Sequence, residues 1–231
     1  MNPSERKSSL FVRRDSGTSA EFNRQGRSSE EFDAYADAYR RAAQTLFREH
    51  FTPKTKIDLD ALPIAFMYRH AAELYLKGIA RLGNSLLAAS GEPRVTVRKT
   101  HRLTLLIDDV RPIFDLLGLP WTEGFNGQRS LAEVRDTLGE LERDEALGID
   151  DTQGDMWRYP VRSTSEQSHL PFQFSFDVAE FVNRLDPLLE VLAGVGHELA
   201  DQLWHLRALM LGLDHFYNDG YLFCDIPNAE E

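Results

Sequence analysis

The sequence predicts a mainly α-helical bundle, and three observations predict it. Apolar residues recur at helical spacing through most of the chain, helix-start signals stand ahead of several of those stretches, and only one short segment alternates with the period of a strand. Ser28 to Glu31 reads S-S-E-E, a capping box, and Phe32, Tyr35, Ala36, Tyr39, Ala43, Leu46 and Phe47 follow at helical spacing. That helix should end before Pro53, with Arg40, Arg41 and Arg48 toward its outer side. Asp60 stands as N-cap of a second helix, with Pro63 in the first turn, where a missing N–H costs nothing. Its apolar line is Ile64, Met67, Ala71, Leu74 and Leu82, and Arg69, Glu73 and Lys77 fall four apart along another line, so the helix is nearly buried but carries a charged stripe.

Gly83 to Lys99 reads as a long connection, G-N-S followed by S-G-E-P-R-V-T-V-R-K. It gathers Arg94, Arg98 and Lys99 next to His101, with Arg102 following, in the densest positive patch outside the N-terminal segment. Thr100 is the expected N-cap of a third helix with Leu103, Leu106, Ile107 and Val110 on one face, and Pro112 should kink or break it. Residues 120 to 128 are turn-rich. From about Ser130 a helix places Leu131, Val134, Leu138 and Leu141 together, and an acidic face continues as Glu142, Asp144, Glu145, Asp150, Asp151 and Asp155. Residues 157 to 176 form the expected small β or extended insertion, because P-F-Q-F-S-F alternates. Asp177 then caps a helix with Val178, Phe181, Val182 and Leu185. The apolar pattern from Leu188 to Leu213 gives two helices or one long bent one, with Pro187 and the Gly194/Gly196 pair as candidate joints.

Residues 1 to 27 carry six Lys/Arg against three acids and few apolar residues, so a flexible basic arm is expected there, then a bundle over 28–220 and a tail over 221–231. The net charge of −11 works against whole-surface attraction to nucleic acid or anionic lipid, so any nucleic-acid contact must be local. A single cysteine, Cys224, gives no internal disulfide and fits a reducing cytoplasm. No apolar run reaches the roughly 20 residues of a membrane span, and no signal core follows the Arg and Ser residues at the start. The EF-hand spacing is not met by the acidic run, and no P-loop, dinucleotide fingerprint, H-E-x-x-H or G-x-S-x-G is present; no metal or cofactor is expected.

E-L-Y-L-K at 73–77, a loop of about twenty residues, and K-T-H-x-L-x-x-L at 99–106 together resemble the core of HEPN domains. These are small helical bundles common in prokaryotic defence, toxin and nucleotide-associated proteins. The resemblance implies a HEPN-like bundle of about five to seven helices, a homodimer, and contacts with RNA, a nucleotide or a partner protein. Catalytic members of the family resemble metal-independent ribonucleases whose motif is Arg, four to six residues, then His, on a late helix. Here Arg94 with His101 and Arg162 with His169 match the spacing, and about two such matches arise by chance from this composition. The late histidines His197, His205 and His215 have no Arg at that gap before them.

Two roles follow for His101. With Lys99 and Arg98 in a helix N-terminal turn it binds a phosphate, or it hydrogen-bonds to the stripe of Arg69, Glu73 and Lys77 and fixes two helices together. Arg158, in W-R-Y-P, belongs beside that stripe or in a packed loop. The expected function is a non-catalytic HEPN-like module binding protein, nucleotide or RNA partners in a prokaryotic defence or stress system. The alternatives are a ribonuclease using His101 with Arg98 or Arg94, and a structural subunit of a larger complex.

Overall fold

The helical periodicities become five α-helices among the residues that the computed structural model describes, which are 32–51, 58–118, 130–144, 149–159, 168 and 175–210. They are α1 (Phe32–His50), α2 (Ala61–Ala89), α3 (Leu103–Leu116), α4 (Leu131–Glu142) and α5 (Val178–Met210). A two-stranded antiparallel ladder, β1 (Arg143–Asp144) and β2 (Ile149–Asp150), pairs Arg143 with Asp150 and Asp144 with Ile149. The fold is mainly helical. The small sheet lies upstream of the 157–176 segment where the alternation put it. The basic arm, the Ser28–Glu31 box, the 120–128 turns, the Arg162/His169 pair, most of the Phe-alternating strip and the tail with His215 and Cys224 lie outside the described residues.

Helix α2 is central, packed by α1, α5 and α3, with α4 on the far side of α3. Its deepest residues are Ile64, Tyr68, Ala71, Tyr75, Leu76 and Ile79, all fully buried, while the expected Met67, Leu74 and Leu82 lie at the edge of the core. A helix enclosed on three sides has no single buried line, so the spacing found its start and direction but not its main face. One apolar core contains residues of all five helices, and a smaller cluster joins Ala65 of α2 to Ile149 of β2 and to Met156 and Trp157 after it.

Helix α1 docks through a partly polar face. Ala36 and Ala43 are fully buried, whereas Tyr35, expected inside, is exposed. Arg40, expected outside, is turned in and makes a two-pronged pair with Asp186 of α5, both contacts at 2.8 Å. Gln44 and Tyr68 donate to the same carboxylate, at 2.8 and 3.1 Å. Two turns earlier Asp33 wedges between α2 and α5: a Cβ on Gly78 or Gly196 would clash with its carboxylate oxygens. Gly196 is therefore a packing position and not a joint, and α5 runs unbroken from 178 to 210 through Pro187.

Helix α3 departs most from its expected ends. It does not break at Pro112 and continues to Leu116, because Ile113 and Phe114 beyond the proline are fully buried and outweigh one lost backbone bond. Gly118, at φ +65°, takes the left-handed conformation that stops it. Its N-cap is Arg102, not Thr100, whose hydroxyl instead accepts from the Arg102 amide at 3.0 Å. The leading amides are closed from a distance by the last residue of α4: the buried Glu142 carboxylate accepts from Leu103 N–H, from Thr104 N–H at 3.3 Å and from the Thr104 hydroxyl at 2.6 Å. Helix α4 starts with a reciprocal box, Ser130 Oγ accepting from Glu133 N–H and the Glu133 carboxylate accepting from Ser130 N–H. No helix among the described residues is long and apolar enough to cross a membrane.

Candidate functional site

Because Arg69, Glu73 and Lys77 are spaced by four, they rise as one row along α2. Two returning segments close over that row. The connection 90–102, anchored where the Asn84 side chain donates to Val95 O at 3.0 Å and accepts from Val95 N–H at 2.7 Å, delivers His101. The turn after β2 delivers Asp151. The helix itself runs on to Ala89, so the expected loop from Gly83 begins only at Ser90.

Glu73 is the centre of this row. Its carboxylate accepts from Arg69 Nη1 at 3.1 Å and Lys77 Nζ at 2.5 Å, and meets His101 Nδ1 at 2.9 Å. Burial alone would push this carboxyl up, but the hydrogen bond from Lys77 and the charges of Lys77, Arg69 and His101 outweigh it and hold it below the usual range. Arg69 is as buried as Glu73, donates from Nη2 to His101 O at 2.7 Å, and lies with Nε 2.7 Å from Asp151 Oδ2, a charge contact without hydrogen-bond direction. Asp151 is fully enclosed, accepts from Met156 N–H at 2.8 Å, and has its carboxyl pushed up by burial against the pull of Arg69. Gly154 completes the pocket around Arg69: at φ +73° it stands where any Cβ would meet the guanidinium at 2.7 Å.

The inner part of the cluster therefore balances its own charges, and His101 forms its outer edge. The His101 side chain is 61% exposed while Glu73 is 4% exposed. A carboxylate only accepts, so Nδ1 carries the proton in the neutral ring and Nε2 has no partner among the described residues. Such a ring is oriented by one edge and offers the other to a ligand or a proton.

The remaining expected residues divide. Arg98 is not beside His101; its guanidinium and backbone N–H are both taken by Asp109 of α3, with Nε at 2.8 Å, and that hydrogen bonding holds Asp109 below the usual carboxylate range. Arg94 and Lys99 are exposed. Arg102 is half-buried, with Nε enclosed and without a hydrogen-bond partner among the described residues. Arg158 lies over the Phe66 and Tyr159 rings, 5.5 Å from each centroid, and donates to Gly154 O at 3.1 Å, so it braces the turn that carries Gly154 and is not a ligand of Glu73. Asp151 and Glu142 were not singled out by sequence reasoning, which read both as part of an exposed acidic run; the D-x-x-G of Asp151 and Gly154 was the available signal for a tight turn. Among the described residues no group of three or more His, Cys, Asp or Glu side chains is arranged to hold a metal ion. No protein-family model matches the chain, and no curated protein or solved structure does either.

Proposed function

We propose that the chain is a non-catalytic HEPN-like module of a prokaryotic defence or stress system, binding an anionic nucleotide, RNA or protein partner at the surface around His101. The observation that carries this reading is the Glu73–His101 contact, which fixes the imidazole while leaving most of it open to solvent. Exposed Lys99 and Arg94 on the same connection supply local positive charge on an otherwise acidic chain. The family context rests on the resemblance of the 73–77 and 99–106 segments alone.

Catalysis is the second reading, favoured by one feature: a carboxylate behind the imidazole is the arrangement that holds a general base in its useful tautomer. Against it, Arg98 is committed to Asp109 and is not free to steady a phosphorane. The test is labelled RNA incubated with the purified protein, followed by anisotropy and by gel. The binding reading expects an affinity that falls as salt rises and drops at least fivefold in His101→Ala and Lys99→Ala, without cleavage. Cleavage abolished by His101→Ala would replace it with the ribonuclease. Neither binding nor cleavage of RNA or nucleotides would leave the role of a structural subunit. Light scattering at micromolar concentration tests the accompanying proposal of a homodimer.

A further inference from the structure

A second concave site lies between the C-terminal half of α4 and the start of α5. A cavity of about 210 Å³ opens between the last turns of α4, the β1–β2 ladder and the first two turns of α5. Its apolar lining includes three aromatic rings: Trp157 to Phe176 at 5.7 Å and Phe176 to Phe181 at 5.4 Å are edge-to-face, and Trp157 to Phe181 is tilted at 6.5 Å between centroids. Four carboxylates, of Glu140, Asp144, Asp177 and Glu180, border it against one guanidinium, that of Arg184.

These carboxylates are not equivalent. Glu140 is joined to Arg184 at 2.7 Å, and Asp177 is spent on the α5 N-terminus, accepting from Ala179 and Glu180 N–H at 2.8 and 3.0 Å. Asp144 has interactions of its own. Glu180 is exposed and forms no ion pair with a described residue. The C-terminal end of α4 adds the negative end of a helix dipole on the same side. The α5 N-terminus brings the opposite dipole end to the same rim, where Asp177 is spent on it, so the preference for positive charge rests on the three rings and on Glu180 beside the apolar hollow. A bare metal ion is not the matching occupant, because the described residues supply no ligand cluster.

We propose that this cavity binds a small organic ammonium ion, its alkyl groups against Trp157, Phe176 and Phe181 and its charge toward Glu180. The site is independent of His101, and its failure would leave the reading of that surface untouched. The test is calorimetry on the full chain with choline and with its uncharged isostere 3,3-dimethylbutan-1-ol. Choline should bind at least fivefold more tightly than the alcohol, and Glu180→Gln should weaken choline three- to tenfold while leaving the alcohol unchanged. Glu180 is exposed, so that variant keeps the fold, and circular dichroism checks it. Phe176→Leu should reduce the preference for the cation over the alcohol. Equal affinity for the two probes, no binding of either, or full choline affinity in Glu180→Gln would overturn the proposal.

Discussion

Replacing Glu73 by alanine separates the structural part of the charged row from the part that meets a ligand. The change removes the acceptor of three contacts at once, but they are unequal. Lys77 and His101, at 31% and 61% exposed, regain water and contribute about 0.5 kcal/mol each. Arg69, at 3%, does not. Stripping one partner from a buried pair costs about 3–5 kcal/mol, and Asp151 stays beside Arg69 to offset part of that, so the expected total is about 3 kcal/mol. Urea unfolding followed by circular dichroism at pH 7 measures it as a lower midpoint at unchanged slope. His101→Ala in the same assay should cost under about 1 kcal/mol and lower RNA affinity more than Glu73→Ala lowers it per unit of stability lost. A loss below about 1 kcal/mol for Glu73→Ala, or equal losses for the two variants, would refute the division into a buried frame and an open edge.

Asp33 supplies a pH test. Burial pushes its carboxyl up to about 6, opposed by His197 and helped by Asp37, from an unfolded value near 3.8. A raised acid is protonated in the fold before it is in the open chain, so its contribution is complete below the unfolded value and is lost as pH climbs through the folded one. Asp33→Asn should therefore stabilise by about 1–2 kcal/mol above pH 6, after discounting for partial exposure, and by nothing near pH 3.5; thermal melts across that range would read it. Glu73 works in the opposite sense: held low, it stabilises above its unfolded pKa and ceases to as pH falls through its folded one, so the stability lost in Glu73→Ala should shrink at acid pH. Gly154→Ala needs a side chain at φ +73° and against the Arg69 guanidinium, and should cost about 2–3 kcal/mol by denaturant titration. Glu142→Ala should cost about 1–2 kcal/mol and speed amide exchange at Leu103 and Thr104 before the rest of α3.

Helix existence was legible in the chain because each buried face repeats locally, and the Arg69–Glu73–Lys77 row was legible because a spacing of four is a property of one helix. The contact of His101 with that row was one of two roles open to a histidine expected in the first turn of the next helix, which in fact starts two residues after it. What escaped was set by distant chain. Whether Glu142 or Asp151 is solvated depends on where α3 and α2 pass, not on neighbouring residues, and a run of acids looks the same in either case. Gly83 reads as the start of a loop, yet it lies inside α2 where Ile113 of α3 presses against it. Pro112 and Pro187 read as kinks or breaks, and one long helix after Asp177 was an open alternative; buried side chains on both sides of each proline carry the helix across. Arg98 reads as part of a basic patch because its acid, Asp109, comes from the following helix.

The closure of α3 by Glu142 gives the bundle an order of assembly. Leu103 waits for an acceptor thirty-nine positions further along, so a nascent chain released only as far as Leu116 has every residue of that helix and none of its lid. Before the end of α4 docks, the first N–H groups of α3 have only water to accept from them, so the first turn of α3 is completed together with the last turn of α4.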